Sequence, residues 1–238
     1  NLIVDGHPRS PVSEQFRTVR TNIQFMAVDR EIKTLAFTSS AISEGKSTVA
    51  ANTAVAWAQQ GDQVLFIDAD LRRPTAHRTF NLDNRTGLTT ILSSRDQQMS
   101  LANVIRPSGI ANLTVIPSGP IPPNPSELLN SSRMRTLIEA AKNSFDIVIV
   151  DAPPMLQVTD AQILAGQVDG VVLVVRQGVA QKAAIRRCVQ LAKMAKANLL
   201  GFVMNDVRSE DGGYGYGYGY GYGYGYGYGD TDKSSDGK

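Results

Sequence analysis

Thr34-Leu35-Ala36-Phe37-Thr38, then Ser39-Ser40-Ala41-Ile42-Ser43-Glu44-Gly45-Lys46-Ser47-Thr48, then an alanine-rich run to Gln60 and Gly61 decide the fold. The first run has strand length and is almost wholly apolar. Lys46–Gln60 has helix composition, and Gly61 stands where a left-handed residue ends a helix. The turn between them is an anion cradle, because successive backbone N–H groups and the positive end of a helix collect phosphate oxygens. Lys46 can neutralise β- and γ-phosphate charge, Ser47 can ligate Mg²⁺, and Gly45 allows close backbone approach. Ser40 replaces the first glycine of the usual pattern, so the strand–loop–helix context carries the signal.

Five further runs read as strands: Val64–Ile67, Leu113–Ile116, Ile147–Val150, Val171–Val175 and Leu199–Met204. Most are continuously apolar, the mark of strands covered on both faces of a parallel sheet. Helical stretches lie at Val12–Phe25, Lys46–Gln60, Ser131–Asn143 and Gln181–Lys196. The alternation predicts a three-layer α/β P-loop NTPase fold, with a mostly parallel sheet flanked by helices. Pro120–Pro125 reads as a stiff loop. Gln181–Lys196 carries Arg186, Arg187, Lys193 and Lys196, fitting a solvated outer helix better than an anionic-lipid contact.

Ligands of parallel sheets lie at the carboxyl ends of strands. Asp68 and Asp70 follow one strand and Asp151 follows another, so all three acids should meet the phosphate loop. A helix cap or a turn is the competing reading for each. Asp68 and Asp70 are taken to face opposite sides of an extended backbone and to hold distinct roles. Spacing does not fix which acid does which. Asp146 and Asp169 precede strands and read as turn residues. Arg72 and Arg73 could hold phosphate, a neighbouring subunit or a structural salt bridge. Asn205 fits either a purine contact or a turn.

A net charge of +2 gives no field suited to nucleic acid. A lone cysteine, Cys188, excludes intrachain disulfides and sits in a helical pattern as a small buried hydrophobe. No apolar run has the roughly 18 residues of a membrane span. No secretory leader is visible from Asn1, which is not a methionine, so an upstream segment stays open.

All eight tyrosines, Tyr214, Tyr216, Tyr218, Tyr220, Tyr222, Tyr224, Tyr226 and Tyr228, alternate with glycine near the C-terminus. Such a segment has no aliphatic residue to bury and is expected to be disordered. Residues 1–208 are expected to form one domain and 209–238 a tail. An adhesive low-complexity segment is the competing reading of the tail.

Ser40–Thr48, Leu65-Phe66-Ile67-Asp68-Ala69-Asp70-Leu71-Arg72 and Ile147-Val148-Ile149-Val150-Asp151 resemble the Walker A, Walker A′ and Walker B motifs of bacterial tyrosine kinases. The resemblance runs from about Leu2 to Asp206 and includes the tail. It implies an ATP- and Mg²⁺-dependent protein-tyrosine kinase. Ser43, Glu44, Gly45, Lys46, Ser47 and Thr48 would hold phosphates. Ser47, Asp70 and Asp151 would organise Mg²⁺, and Asp68 would take the tyrosine proton. Glu14, Arg17 and Arg20 match the family's Glu-x-x-Arg-x-x-Arg motif, on a helix at about 12–25, which implies a head-to-tail ring, octameric by resemblance. The family also implies autophosphorylation of the tail, further protein substrates, a transmembrane adaptor that recruits a cytoplasmic kinase to the inner membrane face, an opposing tyrosine phosphatase, and a link to capsular or exopolysaccharide synthesis. A partition or division-site ATPase is the alternative. Those proteins carry a signature lysine where this chain has Ala41.

Overall fold

The computed structural model describes residues 2–27, 31–96 and 99–207; the tyrosine tail lies outside them. Among the described residues seven strands form one sheet in the order β3-β4-β2-β5-β1-β6-β7. They are β1 (Thr34–Ser39), β2 (Val64–Asp68), β3 (Arg106–Pro107), β4 (Leu113–Ile116), β5 (Ile147–Asp151), β6 (Gly170–Arg176) and β7 (Leu199–Asn205). Every pairing is parallel except β3 with β4. Each apolar run singled out in the sequence is a strand. β3 is an addition: it is two residues long, and its proline can sit only at a sheet edge.

Two apolar clusters, one on each face, bury the sheet. One face holds α1 (Ile3–Gly6), α2 (Pro11–Met26) and α3 (Lys46–Ala58). α3 has 11 of its 13 residues buried. A helix enclosed on all sides needs small residues, which explains the alanine run. Asn52 Oδ1 accepts the Val4 N–H at 3.0 Å, and Gln59 Nε2 donates to the Val4 carbonyl at 3.1 Å, so α1 caps the outside of α3. The helix stops at Ala58, two residues before the expected Gln60, and Gly61 turns the chain at φ 111°.

The other face carries α7 (Ser132–Ser144), α8 (Asp160–Ala165) and α9 (Lys182–Met194). Cys188 is a buried residue of α9 itself, and burial pushes its thiol up to about 11, which leaves it inert. Three further short helices are α4 (Ala76–Thr79), α5 (Leu88–Ser93) and α6 (Pro125–Leu129). α6 corrects the expected Pro120–Pro125 loop: Pro125 is the first helical residue, where a missing N–H costs nothing. Among the described residues no helix is long and apolar enough to cross a membrane.

Candidate active site

Register builds the site. β5 lies between β1 and β2, with Asp151 beside Phe37 of β1 on one side and beside Asp68 of β2 on the other. The loop leaving β1 therefore opens over two strand-ending carboxylates. The chain crosses that loop with Ser43 at φ 62° and Gly45 at φ 86°, both left-handed. A Cβ on Gly45 would lie 2.0 Å from Asn205 Nδ2, so only glycine fits.

Lys46 begins α3 and points across the strand ends. Its Nζ lies 2.8 Å from Asp151 Oδ1, 3.1 Å from Asp70 Oδ2 and 3.1 Å from Ser47 Oγ. Its exposure is 8%, and that of Asp151 is 0%. Burial alone would lower the Lys46 pKa, but the adjacent Asp151 and Asp70 charges outweigh it and hold the ammonium above its ordinary value. Burial raises the Asp151 pKa, against the pull of Lys46 and Ser47.

Asp68 is fully buried, and its Oδ2 accepts the N–H groups of Thr75 and Ala76 at 2.9 and 2.8 Å. Burial and the Asp151 charge push its pKa up to about 7, despite those amides and Lys46. The expectation that Asp68 and Asp70 face opposite sides fails. Residues two apart on a strand share a face. Here β2 ends at Asp68, the chain turns, and both carboxylates act on Lys46, Asp70 by direct contact and Asp68 through its charge.

Asp68 Oδ1 and Asp151 Oδ2 are buried oxygens with no hydrogen-bond partner. Buried acceptors are normally satisfied, so two at the ends of neighbouring strands β2 and β5, below a helix N-terminus, fit a site shaped for a cation and phosphate. Among the described residues no group of three or more His, Cys, Asp or Glu could hold a metal. Mg²⁺ takes one or two protein ligands and fills its shell with water and phosphate oxygens, so Ser47, Asp70 and Asp151 are the residues here that could hold it.

The other loop residues divide. Glu44 is buried and folded back: Ser40 Oγ donates to both its carboxylate oxygens, at 3.0 and 2.9 Å, and the Ala41 N–H donates at 2.9 Å. Its side chain shapes the loop, and Ser40, standing where a glycine was expected, is its anchor. Ser43 and Thr48 are exposed on the loop and the first turn of α3. Asn205 ends β7 and donates to the Glu44 carbonyl at 3.0 Å, bracing the loop. Arg72 pairs with Asp160, 88 residues away, the structural reading among its alternatives. Nothing in the local sequence marks that partner.

Glu14, Arg17 and Arg20 lie on α2, away from these carboxylates. Glu14 pairs with Arg17, which also donates to the Pro8 carbonyl at 2.6 Å. Arg20 Nη1 donates to the Ala56 carbonyl at 2.7 Å near the C-terminus of α3, a favourable place for a cation. Burial lowers the Arg20 pKa.

The AAA domain family matches residues 32–199. The tyrosine-protein kinase YwqD of Bacillus subtilis is 47% identical over 205 residues, covering 86% of this chain and 85% of that one. A crystallised chimera, CapA2B2, superposes with a TM-score of 0.82 at 41% identity, over 87% of this chain and 90% of the other. The kinase domain of the Escherichia coli tyrosine kinase ETK does so at 0.84 and 36% identity, over 92% and 86%. With the phosphate loop, the paired strand-end carboxylates and these likenesses together, the chain belongs to the bacterial tyrosine-protein kinases.

Proposed function

We propose that this kinase phosphorylates its own C-terminal tyrosines, Tyr214 to Tyr228, between subunits of a ring. The observation that carries the catalytic part is the pair of unpartnered buried oxygens, Asp68 Oδ1 and Asp151 Oδ2, on carboxylates that face each other in register at the ends of β2 and β5, with Lys46 on Asp151. The residues fit ATP and Mg²⁺. The loop 43–48 and Lys46 would hold phosphates, and Ser47, Asp70 and Asp151 the ion. Bound MgATP supplies a transferable phosphoryl group with its charge neutralised.

Asp68 takes the phenol proton. A phenol of pKa about 10 is a weak nucleophile at neutral pH, and a carboxylate with a pKa of about 7 is well matched to accept its proton. Lys46 trades carboxylate contacts for phosphate ones without losing its charge. Asn205 braces the loop in this reading rather than reading a base, since its amide already serves Glu44.

Tail and ring belong together. A glycine-rich chain of about 30 residues spans roughly 30 Å, enough to approach a neighbouring subunit. Glu14, 67% exposed at its side chain, is available for a neighbour. Each phosphate adds about −1.5 to −2 charges to a chain of net charge +2, and alternate positions of an extended chain are about 7 Å apart, within a Debye length of about 8 Å. Accumulating phosphate should extend the tail and loosen the ring. A membrane adaptor would recruit the kinase to the inner membrane face, an opposing tyrosine phosphatase would reset it, and the output would be control of capsular or exopolysaccharide synthesis. Ala41 disfavours the partition-type ATPase, whose signature lysine it replaces.

Mixing a Lys46→Ala kinase that keeps its tail with an active kinase lacking residues 209–238 tests transfer between subunits. Label is expected on the inactive partner. An unlabelled inactive partner overturns the reading.

A further inference from the structure

Asp160 opens α8 at 0% exposure, yet it belongs to none of the phosphate-site contacts. Arg72 grips it with two prongs, Nε to Oδ2 at 2.8 Å and Nη2 to Oδ1 at 3.3 Å. Ser126 of α6 donates to the same Oδ1 at 2.5 Å and accepts from Arg72 Nη2 at 3.2 Å. One carboxylate thus ties α6, α8 and the loop after β2. A guanidinium fork fixed this way has direction as well as charge.

Arg72 stands two residues after Asp70. Its side chain is 40% exposed, so it has room to move once its partner's charge is removed. The nearby alternative is Asp70, whose charge already acts on the guanidinium. Asp70 has other duties: Oδ2 lies 3.1 Å from Lys46 Nζ, and Oδ1 accepts the Arg73 N–H at 3.1 Å. An arginine fork laid on Asp70 would neutralise it and cover the oxygens it presents to Lys46.

We infer that Asp160 is a positioning residue that holds Arg72 off Asp70, leaving the Asp70 carboxylate to Lys46 and Mg²⁺. This rests on the reading of Asp70 as a metal ligand. A purely structural staple would show a different signature, a loss of stability with no change in metal dependence.

The test is a Mg²⁺ titration of fluorescent ADP-analogue binding to the full chain, with thermal unfolding in parallel. Asp160→Asn is expected to raise the half-saturating Mg²⁺ concentration about tenfold, the usual scale for losing a residue that orients a metal ligand. Adding Arg72→Gln to that variant is expected to return it to within about twofold of wild type, because the competing cation is gone. A tenfold shift that persists in the double variant overturns the inference. So does an unchanged Asp160→Asn titration in a protein where Asp70→Asn is strongly shifted. If Asp70→Asn itself leaves the titration unchanged, the metal assignment fails, and the inference with it. Should Asp160→Asn not fold, Ser126→Ala removes one hydrogen bond from the same oxygen and is expected to shift the titration about threefold in the same direction. No shift there overturns the inference equally.

Discussion

Aspartates flank strands at both ends of the sheet, and the two ends treat them in opposite ways. At the amino ends Asp169 accepts from the N–H groups of Lys33 and Thr34, from the Thr34 hydroxyl, and from Lys142 at 2.7 Å. Burial alone would raise its pKa, but those contacts win and hold it below the ordinary carboxylate value. At the carboxyl ends Asp68 has two donors on one oxygen and none on the other, and its pKa rises to about 7. A saturated carboxylate fastens the fold, whereas an under-partnered one is poised for chemistry. Asp62 is the exception at the amino ends. Its Oδ2 is unpartnered, and burial and the Asp146 charge raise its pKa against Arg20. It lines an amino-end cleft of about 180 Å³ with Trp57 and Asp146, far from the phosphate loop.

The contrast can be broken by experiment. The largest effect is expected for Lys46→Ala, which should cut phosphotransfer by about 10³-fold or more in a labelled-ATP assay. Lys142→Ala removes a paired cation at the other end. It should leave the rate within about twofold and lower Tm by a few degrees. Comparable rate losses would erase the distinction. Next, Asp68→Asn should slow transfer about 10²- to 10⁴-fold, while Asp169→Asn should keep the rate and lose stability.

The same pair should show opposite pH signatures. Asp68 has a raised folded pKa, so its contribution to stability is complete below its unfolded pKa and is lost as pH rises through about 7. Asp68→Asn should therefore raise Tm relative to wild type at pH 8, with the gain vanishing near pH 4. Asp169 has a depressed folded pKa, so its contribution is present above the unfolded value and is lost as pH falls through the folded one. Its Asn variant should lose Tm at pH 7 and converge with wild type in acid. Kinase activity should climb with pH and reach half-maximum near 7, the ionisation of Asp68. Among the changes around the phosphate loop, the smallest effect is expected from Asn205→Ala, about threefold in nucleotide affinity, through one hydrogen bond to the loop.

The strands, α3 and the strand-end acids were legible because each leaves a local mark: continuous apolar runs, Gly-Lys-Ser, an aspartate after Ile or Val. The short helices α1, α4, α5, α6 and α8 were not. Four to six residues complete barely more than one turn, too few for a 3.6-residue period. The inward turn of the Glu44 carboxylate onto Ser40 and Ala41 was not legible, because composition carries no sign of direction. The partnership of Arg72 with Asp160 spans 88 residues, and that of Asn205 with Glu44 spans 161, so only the folded chain brings them together.

The insertion of β5 between β1 and β2 constrains how the molecule can assemble. Adjacent in sequence, β1 and β2 share no ladder; each pairs with a strand whose last residue is Asp151. The middle of the sheet cannot close on a ribosome until residue 151 has emerged. Until then the phosphate loop has a helix behind it but no floor. Parallel pairings this distant make closure slow, and the apolar edges of β1 and β2 wait exposed in the meantime, a natural point for chaperones to act.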